Sequence, residues 1–332
     1  MPLALIRALL SFLLLAGLSH KALAQELVTK LEVSPPPNQL RPFSEPAEIT
    51  VYLTNADGSP IKNAWVQIYV DAPKSRRFFS TDFPIVEGTR LLDMRLPIRD
   101  GKAQWQYLFP IRGQYRISVE ALTSNNQKST AALEITVKEK EWKWFLLGVF
   151  TLGLFLSGFV AGRIFTHSST VSNRKVLLCF MVSMLHIGIY TVKAFTQDVK
   201  SDVGPARLEI DAAPVGKLSQ VRWYRVGPPL GDDPVDLSLK FTHLETGKTV
   251  FAIEKLIVAK EFSMRFQFTD GDEYRIEAMA YPKSGQPIRS ERTVSITGIE
   301  PPAIAAIPAL AFFVFVIACG LWAGRRSRSR QH

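Results

Sequence analysis

Histidine and cysteine, the side chains best suited to bind a soft metal or carry a proton, are few in this chain. It has five histidines and two cysteines. Residues 25–141 and 196–301 together contain one histidine, His243, and no cysteine. Cys179 and His186 lie in the same apolar run. A blue-copper site needs two histidines and a cysteine in one domain. One imidazole does not make a site, so we interpret His243 as a surface or core histidine. His243, His186 and Cys179 remain the candidate metal ligands.

The apolar run 176–195 carries a stripe of polar side chains. At about 100° per residue, one helix face would hold Cys179, Ser183, His186, Tyr190 and Lys193. Polar side chains are costly inside a bilayer and mark a site or a contact with a partner. Two interpretations stay open. The stripe is either a copper or proton site, or a packing face whose outer members snorkel to the membrane surface.

Catalytic motifs are missing from the sequence. Gly247-Lys248-Thr249 resembles the end of a phosphate-binding loop, but Thr242 stands where that loop needs its first glycine. G-x-S-x-G, H-E-x-x-H and C-x-x-C do not occur. Two cysteines also exclude a disulfide scaffold and a cysteine-rich zinc fold. We therefore expect a non-enzymatic protein without a cofactor.

Four apolar runs determine the expected organisation of the chain. Residues 1–24 have a basic start, an apolar core and an A-L-A end, which is the pattern of a secretory signal peptide. This segment is either cleaved or kept as an anchor. The other runs are long enough to cross a bilayer. The predicted transmembrane helices are 142–163, 176–195 and 302–324.

The net charge of +10 indicates membrane topology. Its excess lies beside apolar runs, mainly in the loop 164–175 and the tail 325–332, whereas segments 25–141 and 196–301 are together nearly neutral. This is the positive-inside bias, and not a nucleic-acid surface. Export directed by the signal peptide gives the same topology. We expect a multi-pass protein of a bacterial inner membrane, with the loop and tail cytoplasmic and both large segments periplasmic or extracellular.

Both large segments alternate with the period of β-strands. Apolar and polar residues alternate in AEITVYLT at 47–54 and in SQVRWYRV at 219–226, and turn signals such as D-G separate these stretches. About seven such stretches occur in 25–141 and about seven in 196–301, the number in an immunoglobulin-like domain. The predicted fold is all-β plus membrane helices: two immunoglobulin-like antiparallel β-sandwiches and three transmembrane α-helices.

Tyr115 and Tyr274 hold matching places in an internal repeat. FPIRGQYRISVEA at 109–121 and FTDGDEYRIEAMA at 268–280 each end a strand, turn at a glycine and enter the next strand at a tyrosine. An immunoglobulin-like sandwich has its tyrosine corner at this position, where the phenol bonds to backbone. We predict this structural role for both tyrosines. The alternative role is a binding platform.

A short segment adds a family resemblance. D-G-S-P-I-K-N-A-W-V-Q-I at 57–68 resembles the strand pair of bacterial immunoglobulin-like, carboxypeptidase-regulatory-like and YtkA-like exported domains. The resemblance implies a binding or spacing module.

The order of segments carries a second resemblance. Signal peptide, β domain, helix pair and β domain follow one another as in the copper-binding subunit of particulate methane and ammonia monooxygenases, whose copper ligands are exported histidines. Segment 25–141 has no histidine, and a third apolar run follows the second β segment. The similarity is therefore one of architecture.

Small residues at four-residue spacing predict where the membrane helices touch. Such spacing lets two helix backbones approach closely. The predicted contact residues are Gly153, Ser157, Gly158, Gly162, Gly320 and Gly324.

The expected function is that of a non-enzymatic scaffold or accessory subunit. The short cytoplasmic segments 164–175 and 325–332 leave little room for a signalling domain. Both β domains join their helices through short links, which holds them near the membrane to dock on other membrane proteins in a larger inner-membrane complex. The alternatives are a protein that handles copper or another metal, and a metal-free subunit of a membrane oxidoreductase.

Overall fold

The computed structural model describes residues 27–75, 81–164, 205–226, 233–298 and 307–329. The predicted signal peptide and the predicted middle helix, with Cys179 and His186, lie outside these ranges. Within them the chain forms fourteen β-strands and two long α-helices.

The strands and helices follow the predicted order. The first half of the sandwich comprises β1 (Leu27–Ser34), β2 (Ala47–Asn55), β3 (Ala64–Asp71), β4 (Arg90–Ile98), β5 (Lys102–Tyr107), β6 (Gly113–Thr123) and β7 (Lys128–Val137). Helix α1 (Glu141–Ile164) follows it. The second half comprises β8 (Ala206–Asp211), β9 (Ser219–Arg225), β10 (Val235–His243), β11 (Lys248–Val258), β12 (Glu261–Phe266), β13 (Glu273–Tyr281) and β14 (Ile288–Ser295). Helix α2 (Ile307–Ser329) comes last.

The alternating sequence forms strands because one face of each strand is buried. In β3, Val66, Ile68 and Val70 are fully buried, whereas the neighbouring Trp65 is 46% exposed. Side chains in a strand point to opposite faces in turn, so a period of two places every second residue in the core. The prediction of a mostly antiparallel β protein with sandwiched sheets is confirmed.

Each of the two sheets runs through both halves. The strand orders are β1-β2-β5-β11-β10-β13-β14 and β7-β6-β3-β4-β12-β9-β8. The sequence predicts two separate sandwiches; instead the halves share their sheets and one continuous core. The reason is that β4 and β5 of the first half have free backbone edges, and these pair with β12 and β11 of the second half.

Buried contacts reinforce this junction. The Phe266 ring lies with its centroid 6.4 Å from that of Tyr107 in the other half. The Asp93 side chain is 6% exposed and accepts hydrogen bonds from Gln67 in its own half and from Arg265 in the other. Main-chain bonds also cross the junction, including one of 2.9 Å from Leu108 N to Val250 O. The halves therefore form one double sandwich.

The halves repeat the same topology about a pseudo-twofold axis parallel to the strands. The fourth strand of each half pairs with the fifth strand of the other. Within each half the fourth strand lies beside the third, whereas in constant-type immunoglobulin domains it lies in the opposite sheet. Because the axis follows the strands, β7 and β14 both end at the same end of the sandwich. We call it the helical end, since α1 and α2 follow these strands, and the opposite end the far end.

Two described helices are long and apolar enough to cross a membrane. Helix α1 has 24 residues and is therefore about 36 Å long. The sequence predicts three such helices, of which the middle one falls outside the described residues. Helices α1 and α2 run parallel, as contacts at both their beginnings and their ends indicate.

Candidate functional site

Four glycines form the contact between α1 and α2. A Cβ atom added to Gly158 would lie 2.5 Å from Ile317 O, and one added to Gly162 would lie 2.3 Å from Leu321 O. From the other helix, a Cβ at Gly320 would lie 2.3 Å from Phe155 O. Gly324 is equally close to the first helix. No side chain fits at these distances, so the backbones touch only because these residues are glycines.

The other two small residues of the predicted contact lie elsewhere. A Cβ added to Gly153 would meet nothing within 4 Å, and the same holds for Gly148. Ser157 is exposed and its hydroxyl donates to Gly153 O at 2.8 Å, so it bonds within its own helix. The contact therefore uses one face of α1, which Gly158 and Gly162 share.

Charged side chains hold the beginning of α1 against the first half. Arg112 lies 3.5 Å from Glu139, and its guanidinium is 5.9 Å from the ring centre of Trp144. Lys143 pairs with both Glu139 and Asp82. These contacts join the loops at the helical end to the first turn of the helix.

Tyr115 forms the corner of the first half. Its hydroxyl donates to Ile111 O at 2.7 Å and accepts from Ile111 N–H at 2.8 Å. Burial raises the pKa of the Tyr115 phenol well above its usual value, so the hydroxyl keeps its proton. The phenol thus pairs both backbone groups of one buried residue, which is the geometry of a tyrosine corner.

Replacing Tyr115 by phenylalanine is expected to destabilise the double sandwich by about 1–3 kcal/mol. The change leaves the N–H and C=O of Ile111 buried without a partner. The free energy of unfolding in detergent would measure this. Tyr281 is 46% exposed, so Tyr281→Phe is the matched control and should stay within about 0.5 kcal/mol. Equal stability of Tyr115→Phe and the unaltered protein would contradict the corner.

The corner of the second half differs from the prediction, because the phenol of Tyr274 bonds a side chain and not the backbone. Tyr274 donates its hydroxyl to one carboxylate oxygen of Asp270, and the other oxygen lies 2.9 Å from His243 Nε2. Burial, and then the charge of Asp270, raise the pKa of the Tyr274 phenol. His243 is 1% exposed. Its Nδ1 lies 3.3 Å from Asp272 Oδ2 and accepts a long 3.3 Å bond from the backbone N–H of Thr246.

These side chains form the His243 cluster, which comprises His243, Glu245, Asp270, Asp272 and Tyr274. The sequence pattern singles out its histidine and its tyrosine but misses the three acidic residues. The internal repeat does mark two of these acidic residues as unusual. When its two tyrosines are aligned, Asp270 stands where the first half has Ile111, and Asp272 stands where it has Gly113. His186 and Cys179, the other candidate ligands, lie outside the described residues.

A groove of about 800 Å³ opens at the far end, where the two halves meet. Its walls come from the turns between β4 and β5 and before β3, and from the middle of β11. Trp65 stands at its rim with the Arg95 guanidinium 5.0 Å from its ring centre. Because its walls come from both halves, no local sequence pattern reveals this far-end groove.

The lining of the far-end groove has more basic than acidic side chains, and three of its residues have an uncommon backbone conformation. Its charged lining consists of Lys62, Arg99, Lys102 and Lys255 against Asp100 and Glu254. Three lining residues, Asn63, Asp100 and Lys255, have positive φ angles of 59°, 50° and 55°. For a long side chain such as lysine this conformation is uncommon, and such residues concentrate at functional sites. The groove is therefore a candidate binding surface.

Comparison with known proteins leaves the family open. No protein-family model and no curated protein matches the chain. A solved structure concerning host-cell-surface retention of a 1.5-MDa bacterial ice-binding adhesin aligns at 9% identity with a TM-score of 0.23, covering 82% of this chain and 65% of that one. Two fibronectin type-III domains of chicken tenascin align at 9% identity with a TM-score of 0.20, covering 81% of this chain and 100% of theirs. The fold assignment rests on strand pairing.

Proposed function

We propose that this chain is a non-enzymatic, membrane-anchored scaffold that holds a double sandwich on the outer side of a bacterial inner membrane and docks the exported region of a partner membrane protein. The observation that carries this proposal is the union of the two halves into one body whose last strands, β7 and β14, are followed in the chain by a pair of glycine-packed helices. A flexible tether would not need shared sheets.

The surface of the helix pair supports membrane anchoring. Large apolar side chains such as Leu152, Val160 and Phe315 are more than half exposed. An apolar surface of this extent is unfavourable in water and favourable in lipid. Trp142 and Trp144 lie at the end next to the sandwich, where interfacial aromatic residues are expected. The other end of the pair carries arginines, in agreement with a cytoplasmic side.

The direction of the helices supports the same arrangement. In the topology that the charges predict, α1 and α2 both cross from the exported side to the cytoplasm. Two segments that cross in the same direction can pack only as parallel neighbours, and α1 and α2 are parallel. The pseudo-twofold axis also brings both connections to one end of the sandwich.

The far-end groove is the docking surface that we propose for the partner. It lies at the end of the sandwich that faces away from the membrane, and its four basic side chains against two carboxylates suit an acidic segment. Trp65, exposed and beside Arg95, offers an aromatic anchor of the kind that dominates binding at interfaces. The occupant we propose is therefore an acidic stretch of the partner's exported region.

The combined variant Trp65→Ala, Lys102→Glu and Lys255→Glu is expected to lose at least nine-tenths of the co-purifying partner. The exchange removes the aromatic anchor and reverses two charges that attract an acidic segment. Quantitative mass spectrometry after mild-detergent purification of the full chain would measure recovery. Membrane insertion should be unchanged.

The matched control variant is Lys217→Glu with Lys240→Glu. Both lysines are exposed and lie outside the far-end groove, so the control changes the same charge elsewhere. It should retain the partner. If the groove variant recovers the same proteins in the same amounts as the control, the far-end groove is not the docking surface. If the unaltered chain recovers no membrane protein, the scaffold proposal itself is wrong.

A further inference from the structure

The His243 cluster has a polar composition that the first half lacks at the same place. The strand registers pair His243 with Tyr274, and in the first half the residue that corresponds to His243 is Ala72. Ala72 is buried, and Ile111 and Gly113 occupy the places of Asp270 and Asp272. A tyrosine corner can therefore form in this fold without these polar groups. In the second half Asp270 replaces the backbone as the partner of Tyr274, but a corner does not need His243, Glu245 or Asp272.

The contacts of the cluster orient both ring nitrogens of His243, with Nε2 facing Asp270 and Nδ1 facing Asp272. Asp270 receives donors on both oxygens, from Tyr274 and from Nε2 of His243. With its proton on Nε2, the imidazole presents a lone pair at Nδ1, and the bond that Nδ1 accepts from Thr246 N–H is long. A histidine that donates to a carboxylate with one nitrogen and offers the other is the usual arrangement at metal ions.

Asp272 adds a second ligand atom, because one of its oxygens has no donor. Oδ1 accepts from Glu273 N–H at 2.7 Å, but Oδ2 is buried without a hydrogen-bond partner. It faces His243 Nδ1 at 3.3 Å. Bonds of about 2.0–2.2 Å to a tetrahedral zinc ion place two ligand atoms about 3.4 Å apart. The two lone-pair atoms thus already have the separation that such an ion requires.

We propose that His243 Nδ1, Asp272 Oδ2 and the carboxylate of Glu245 bind one divalent metal ion of the zinc class. The ligand atoms of these three residues lie within 4.8 Å of one another, the one such group of His, Cys, Asp and Glu among the described residues. Imidazole and carboxylate ligands suit this class of ion, with water in the fourth position. Glu245 is exposed and on a turn, so it can close onto the ion.

The metal would join two loops at the helical end of the second half. Glu245 lies between β10 and β11, and Asp272 between β12 and β13. The ion replaces the long bond from Thr246 to Nδ1 and gives Asp272 Oδ2 a positive partner. Asp270 and Tyr274 hold the imidazole without touching the ion, so they are positioning residues. The role of the site is structural, and it is independent of docking at the far-end groove.

The test is metal binding by the full-length chain in detergent, purified without a histidine tag and stripped with a chelator. Calorimetry with Zn²⁺ should give one equivalent per chain. Co²⁺ should give the visible absorption bands of a four-coordinate site with nitrogen and oxygen ligands. Glu245→Gln, at an exposed position on a turn, should weaken Zn²⁺ binding at least tenfold. Asp272→Asn should weaken it at least as much.

The remaining variants separate ligands from positioning residues. Asp270→Asn should weaken Zn²⁺ binding about 10- to 100-fold while keeping one equivalent, as is usual when the partner of a ligating histidine is changed. His186→Gln is the control for the histidine in the apolar run 176–195 and should bind Zn²⁺ like the unaltered chain. The proposal is wrong if Zn²⁺ binds at less than half an equivalent. It is also wrong if Glu245→Gln and Asp272→Asn both leave the affinity unchanged.

Discussion

Replacing Gly158 and Gly162 together by alanine is expected to separate helices α1 and α2. Each added methyl would lie 2.5 Å or less from a carbonyl oxygen of the facing helix, where real Cβ atoms essentially never lie. Backbone cannot move aside as a flexible side chain can, so the helices must part. Overpacking of this kind costs about 1–3 kcal/mol per site. The double variant should therefore lose several kcal/mol of helix association.

Chemical cross-linking between the helices would measure this separation. Phe150 and Phe313 face each other with ring centroids 5.4 Å apart. Cysteines at these two positions, with Cys179 and Cys319 replaced by serine, should be joined readily in membranes by a short bifunctional thiol reagent. The alanine variant should cut the cross-linking rate at least tenfold, which corresponds to about 1.4 kcal/mol.

Two glycines on the same helix supply the matched control. Gly148→Ala with Gly153→Ala adds the same two methyl groups where nothing lies within 4 Å. This control should cross-link like the parent, and both variants should keep the circular dichroism of the sandwich. Equal cross-linking in the two alanine variants would show that the glycine contact does not hold the helices together.

Truncating Phe266 to alanine is expected to destabilise both halves at once, by about 3–5 kcal/mol. Phe266 is 3% exposed and lies among aromatic rings, with centroids 5.1 Å from Phe241 and Phe268 and 6.4 Å from Tyr107. Its strand pairs it with Leu92 of the first half. A cavity here removes contacts on both sides of the junction.

Hydrogen exchange would distinguish one cooperative body from two domains. If the halves unfold together, Phe266→Ala should lower the protection of the slowest amides in β3 and β6 as much as in β10 and β13. The exposed Tyr281→Ala should leave both sets unchanged, since its side chain is 46% accessible. Unchanged protection of β3 and β6 in Phe266→Ala would show that the halves unfold independently and that the shared sheets contribute little.

Local structure was largely predictable from the sequence. Alternation with a period of two places one face of each strand in the core, and this rule alone located segments such as 47–54 and 219–226 as strands. Apolar runs of sufficient length located α1 and α2. The tyrosine at a fixed place in the repeat indicated the corner at Tyr115, whose bonds are to a residue four positions away. Tyr274 instead bonds the Asp270 carboxylate, which the repeat did not predict. In each case the physical cause acts over a few neighbouring residues.

Which strands pair across the halves was decided only by tertiary structure. The free edges of β4 and β5 present backbone N–H and C=O groups that any other edge could pair with, and no side-chain pattern names the partner. The junction between Asp93 and Arg265 and the far-end groove both follow from that choice.

The two candidate binding sites show the same limit. His243 stands alone in the sequence because its partner Asp270 lies 27 positions further along, with Asp272 just beyond. The register between β10 and β13, and the loop that leads into β13, bring these side chains together. The sequence by itself determined the strands, the two described helices, the corner at Tyr115 and the helix-facing glycines Gly158 and Gly162. Sites assembled from distant segments needed the fold, because strand register is set by burial summed over whole sheets and not by any single residue.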